Sequence, residues 1–327
     1  MTSRPTQLDL PMRPADPIER WHAPPAPGEL EALRALLPAT LRFGTRGWVY
    51  PGWREIVWEG RRSEEQLAEN GLGEYAKHPL LNTIYFEAGP DAAVSSREAI
   101  RYAALPTGMH HVLQVHPEVT AATFTRANVS GIAGGRAGQS NPHFLDARFF
   151  QREIYQVYRQ AFGERLGIFL FPFPPTLSRS GISPTTFAQR LEHFFESLSE
   201  SIACAVEIRE PQYLTLEYAR VLAAVGAAHV FTTWTGMPSL MEQARQVPTS
   251  SERIIQVVGP SGRGESRRQR FAPFDAIRAA NGKMRRAVVD LLQAGLDQPT
   301  YVLVHNEAEG CAPLTILALA RMLVARL

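Results

Sequence analysis

Glu207 and Arg209 stand two residues apart in the apolar run Cys204-Ala205-Val206-Glu207-Ile208-Arg209. In an extended strand that spacing puts both side chains on one face, so a carboxylate and a permanent cation would share a site. A carboxylate held there can move a proton or hold a sugar hydroxyl, which makes Glu207 the candidate catalytic acid or base. The plainer alternative is an internal ion pair with no chemistry. Other polar residues end other apolar runs: Thr45 and Arg46, Glu87, Gln114 and His116, and His305 with Asn306. Arg46 can meet an anionic ligand or pair with Glu87. Just beyond it, Trp48, Tyr50 and Trp53 offer aromatic faces on which a sugar or a base can stack, or pack their own loop.

Two further constellations are weaker. Glu87, His116, Glu207 and His305 are metal-ligand types from several runs, but no H-x-x-x-H or H-x-H spacing joins them. No cofactor and no metal are therefore expected. Gly259-Pro260-Ser261-Gly262-Arg263-Gly264 is a loop whose backbone N–H groups can hold a phosphate, with Gly259, Ser261, Gly262 and Arg263 as the candidate anion contacts. From 260 to 286 there are eight basic residues against two acidic ones. A nucleic-acid backbone contact is the alternative that this segment suggests. Ala127 to His143, with Gly131, Gly134, Gly135 and Gly138, reads as a long excursion able to act as a lid.

The elements that must position these residues are regular. Eight short apolar runs read as buried strands: 41–45, 83–88, 111–116, 166–171, 204–209, 229–234, 253–258 and 301–305. Their apolar character is continuous rather than alternating, which points to a parallel sheet covered on both faces. Helical patterns follow at Ser95–Leu105, Asp146–Phe162, Pro184–Leu198, Leu214–Val225, Pro238–Gln246, Asp275–Leu292 and Pro313–Leu327. Eight such units predict a (β/α)8 TIM-type barrel over 41–327, with ligands at the C-terminal ends of the strands. An open doubly wound sheet is the competing fold, but no G-x-G-x-x-G turn follows the first strand. Residues 1–40 hold eight of the 25 prolines and read as an irregular extension, with a short helix near Glu29 to Leu37.

Composition narrows the classes. The 327 residues carry 34 Lys+Arg against 32 Asp+Glu, a net charge of +2, which argues against a whole-surface polyanion binder. Hydrophobic residues at 45% exclude dominant disorder. The two cysteines, Cys204 and Cys311, lie in apolar runs and imply buried thiols in a reducing compartment. The first residues lack an apolar signal region, and no stretch is long enough to span a bilayer. A cytoplasmic protein is the expectation, with no membrane partner.

Several segments, in order, resemble the YecE-like family, known as domain of unknown function 72. They are G-T-R-G-W-V-Y-P-G-W at 44–53, H-P-E-V-T at 116–120, F-P-F-P-P at 171–175, V-E-I-R at 206–209 and H-N-E-A-E-G-C-A at 305–312. The resemblance covers residues 41–327, implies a TIM-type barrel, and brings no established reaction. It is that of a divergent member, with Arg46, Gln114, Pro172, Gln256, Val258 and Glu307 standing where the family usually has other residues. The combined expectation is a barrel binding a small polar, anionic or sugar-like molecule at its C-terminal face, with acid/base or hydrolytic chemistry at Glu207 left open. A non-catalytic, partner-binding barrel is the remaining alternative.

Overall fold

Eight parallel strands close into one barrel in chain order: β1 Leu41–Arg46, β2 Thr83–Phe86, β3 His110–Gln114, β4 Ile168–Pro172, β5 Cys204–Glu207, β6 Ala228–Thr232, β7 Arg253–Val257 and β8 Thr300–Val304. The computed structural model describes residues 21, 24–89, 94–125, 136–248, 252–259 and 270–327. Closure is direct, since Thr45 of β1 lies opposite both Ile84 of β2 and Val304 of β8. Every strand overlaps the apolar run predicted for it.

The apolar runs are continuous because each strand serves two cores. Outward residues such as Phe43, Leu113, Phe169, Phe171, Val206, Phe231 and Ile255 pack under the helices. Inward residues form a separate cluster of Tyr85, Val112, Ile168, Leu170, Ala205, Ala228, Val230, Ile254, Tyr301 and Leu303. The strands tilt, so a layer perpendicular to the barrel axis draws from alternate strands. Following the register, Thr83, Ile168, Ala228 and Tyr301 make one layer from the even strands. Gly44, Val112, Ala205 and Ile254 make the next, from the odd strands, and Tyr85, Leu170, Val230 and Leu303 the one above.

Local signals set the helix starts. Ser183 accepts from the Thr186 N–H ahead of a first-turn proline, and Asp146 accepts from the N–H groups of Arg148 and Phe149. The helix expected over Asp146–Phe162 contains a π turn at Gln151–Tyr155. The helix expected from Asp275 begins only at Gly282, where Asn281 caps it. A helix absent from the sequence expectation, Glu64–Tyr75, carries a full capping box between Ser63 and Gln66.

The short helix near residue 30 runs from Glu29 to Leu36 and docks on the last helix, Ala312–Val324. Arg321 Nε donates to Glu29 Oε1 at 2.7 Å, and Leu33 and Leu37 join the outer core. This part of the predicted extension is thus built into the barrel, while residues 1–20 lie outside the described residues. Cys204 and Cys311 are buried free thiols. Among the described residues no helix is long and apolar enough to cross a membrane.

Candidate functional site

One layer higher the interior changes character. The register that stacks the apolar layers places Arg46, Gln114, Glu207 and Gln256, one from each odd strand, in a single polar layer at the C-terminal mouth. Above it the even strands contribute Glu87, Pro172, Thr232 and His305. Arg209 and Val258 continue the inward faces of β5 and β7 toward the rim.

Glu207 is fully buried. Its carboxylate accepts from Arg209 twice, from Nε at 3.1 Å and Nη2 at 2.7 Å. Arg209 keeps 20% of its side chain exposed and lays its guanidinium over the Trp234 ring, 4.5 Å from the centroid. Across the mouth Arg46 pairs with Glu87. Both cations are therefore matched by carboxylates, and the mouth carries no surplus charge from these four groups.

Unspent hydrogen-bonding capacity remains at Arg46 Nε and in neutral groups. Gln256 is fully buried, yet neither its Oε1 nor its Nε2 has a hydrogen-bond partner among the described residues. The same holds for Gln114 Oε1 and His305 Nε2. Burial, reinforced by the positive charges of Arg46 and Arg209, holds the His305 imidazole well below its usual pKa, so it is neutral at pH 7. Tyr85, whose ring lies 6.3 Å from that of His305, is pushed well above the usual phenol value, chiefly by burial. It remains a protonated donor. Among the described residues no group of three or more His, Cys, Asp or Glu side chains is arranged to hold a metal ion.

The family model described as "Protein of unknown function DUF72" matches residues 42–327. The chain belongs to the DUF72 family. Two solved DUF72 proteins share the fold. One, from Thermotoga maritima, is 16% identical with a TM-score of 0.56, the alignment covering 86% of this chain and 98% of that one. The other, from Enterococcus faecalis, is 12% identical with a TM-score of 0.52, covering 86% and 97%. No curated protein sequence matches the chain.

Within this DUF72 barrel several residues expected in the pocket face elsewhere. Thr45 points outward with Leu41 and Phe43, its hydroxyl donating to the Gly47 carbonyl at 2.7 Å and lying 2.9 Å from the Tyr75 hydroxyl. Trp48 is buried under the helices and donates from Nε1 to the Leu67 carbonyl at 2.8 Å. Trp53 is wholly buried and donates to Asn306 Oδ1 at 3.3 Å, and the same oxygen accepts from the Ala312 N–H at 2.8 Å. Asn306 thus caps the last helix instead of lining the mouth. Tyr50 donates to the Arg46 carbonyl at 3.1 Å and packs on Trp53 and Phe274. A Cβ at Gly52 would sit 1.9 Å from the Pro273 carbonyl oxygen, so only glycine allows that approach. Of the expected aromatic wall Trp53 is part of the core, while Trp48 and the half-buried Tyr50 also line a cleft of about 240 Å³ beside Glu87.

His116 is engaged as a helix cap, its Nδ1 accepting from the Glu118 N–H at 3.0 Å. At Gly259 a Cβ would meet the Glu307 carbonyl oxygen at 1.9 Å, so this glycine lets the ends of β7 and β8 come together. Ser261, Gly262 and Arg263 lie outside the described residues, as does the 127–135 part of the expected lid. The remainder of that segment is tied down: Arg136 donates twice to Glu118, at 2.8 and 2.9 Å, and Asn141 donates to the Glu118 and Ala121 carbonyls. Of the basic residues counted for a nucleic-acid contact, Arg278 pairs with Asp275 and Arg285 is buried against Glu309.

Sequence reasoning brought Glu207, Arg209, Arg46, Glu87 and Gln114 to one place. It passed over Tyr85, Gln256 and Trp234 as site residues. The signal for Gln256 was a lone amide in the apolar run Arg253-Ile254-Ile255-Gln256-Val257-Val258.

Proposed function

We propose that the barrel binds a small, uncharged, polyhydroxylated molecule in its C-terminal mouth, with Glu207 as the group that exchanges a proton with it. One observation carries this reading: a buried Gln256 amide with neither end satisfied, in the same layer as Glu207. An unsatisfied buried polar group costs about 1–3 kcal/mol, and leucine would fill the same space without that cost. A hydroxyl both donates and accepts, so vicinal hydroxyls can serve an amide oxygen, an amide N–H and an imidazole nitrogen at once. The carboxylates on Arg46 and Arg209 offset their charge, which favours a neutral ligand over an anion, and the unpartnered Arg46 Nε–H is left to donate to a hydroxyl.

The test is Gln256→Leu. Replacing the unpartnered amide raises stability by about 1 kcal/mol in urea unfolding. The same change removes binding of neutral methyl glycosides, followed by calorimetry or saturation-transfer NMR. A fall in stability would make Gln256 a structural residue. Binding of sugar phosphates, with none of neutral sugars, would restore the anionic reading.

A further inference from the structure

Beside the mouth, between the ends of β6 and β7 and the helix Gly282–Gln293, lies a cleft of about 450 Å³. That volume falls within the range of small-molecule sites, roughly 300–1,000 Å³. It is lined largely by apolar side chains, among them Trp234, Met237, Met284, Val258 and Ala287. It adjoins the polar layer along β6 and β7. Thr232, which lines it, is the register partner of Gln256, and Val258 lies two residues beyond Gln256 on the same inward face. Trp234 belongs to both places, carrying the Arg209 guanidinium over its ring while lining the cleft.

We infer that this cleft is a second subsite, taking an aromatic or similarly flat apolar group attached to the sugar-like head held in the mouth. The inference rests on the mouth reading above and extends it from a free sugar to a glycoside or nucleoside-like molecule. Three features support the ligand class. The cleft is sized for a ring system and not for a chain partner. Its walls combine one indole with two flexible thioether side chains, which conform to flat surfaces. Its Thr232, Val258 and Trp234 walls border the layer where Gln256 would hold the head group, so one molecule reaching past them would occupy both places.

The test compares methyl glycosides with the matching 4-nitrophenyl glycosides on the whole chain by calorimetry. The wild type is expected to bind the aryl compounds about tenfold more tightly, the value of one well-placed aromatic contact. Ala287→Trp, which fills the cleft without touching the mouth, should erase that advantage and leave methyl glycoside affinity unchanged. Trp234→Ala should also erase it, and circular dichroism should show both variants folded. Equal binding of the two classes by the wild type, or an aryl advantage that survives both variants, overturns the cleft subsite while leaving the mouth reading intact. If neither class binds, the mouth reading falls and the subsite falls with it.

Discussion

Among the described residues, Glu309 with Arg285 and Glu207 with Arg209 are two glutamate–arginine pairs of similar distances and opposite surroundings. In the helix layer Glu309 accepts from Arg285 Nε at 2.9 Å and Nη2 at 2.7 Å, and its carboxylate also accepts from the Thr315 hydroxyl and the Asn281 N–H. Both partners are sealed, at 1% and 0% exposure. In the mouth Glu207 accepts from Arg209 at similar distances, while Arg209 reaches solvent across Trp234. The first carboxylate has its lone pairs taken by the fold and ties the start of one helix to the loop before the next. The second sits in a layer with an unsatisfied amide and is held by an arginine that is partly exposed. Burial of a charge is thus no guide to its role. The number of partners around it is.

That contrast can be broken experimentally. Glu309→Ala strands the Arg285 guanidinium in the interior and should cost about 3–5 kcal/mol in urea unfolding. Replacing both partners, Glu309→Leu with Arg285→Met, should recover most of it; a single change that cost nothing would end the structural reading of this pair. Protonation gives an intermediate effect. Burial holds His229 down to about 3, whereas in the unfolded chain it titrates near 6.5. The stability conferred by its neutral form is complete above about pH 6.5 and is lost as pH falls toward 3, by about 1.4 kcal/mol per pH unit. Urea midpoints at pH 7 and pH 5 measure this, and an unchanged midpoint would count against a buried neutral His229. The smallest stability change is expected at the mouth. Glu207→Gln keeps an acceptor beside a solvent-accessible arginine and should cost no more than about 1 kcal/mol. It should weaken glycoside binding tenfold or more, since a charge-assisted hydrogen bond is worth about 1.5–3 kcal/mol. A large loss of stability with intact binding would move Glu207 into the class of Glu309.

The fold was legible because each buried strand is a continuous apolar run and the helices between them carry ordinary caps such as Ser183 and Asp146. The site was legible only where parity along a strand was read. Glu207 and Arg209 are two apart and do share a face. Thr45 was placed in the pocket although Leu41 and Phe43, on its own face, are the large apolar residues that must meet the helices. Trp48 and Trp53 sit in a distinctive motif, but their burial depends on partners outside it, Leu67 for Trp48 and the distant Asn306 for Trp53. Gln256 escaped notice as a partner of Gln114 and Glu207 because layer membership follows from the barrel's shear, which no single strand reveals.

Closure through β1 and β8 also sets when the mouth can exist. Arg46 and Glu87 are among the first residues of the barrel to leave a ribosome, yet His305 and the strand that seals β1 come almost last. Until then the nascent sheet has two unpaired edges, and its polar ring has a gap beside Arg46. The polar ring is therefore completed only when β8 pairs with β1 and not accumulated strand by strand. The late-emerging C-terminal segment acts as the keystone of a site to which it contributes only one imidazole.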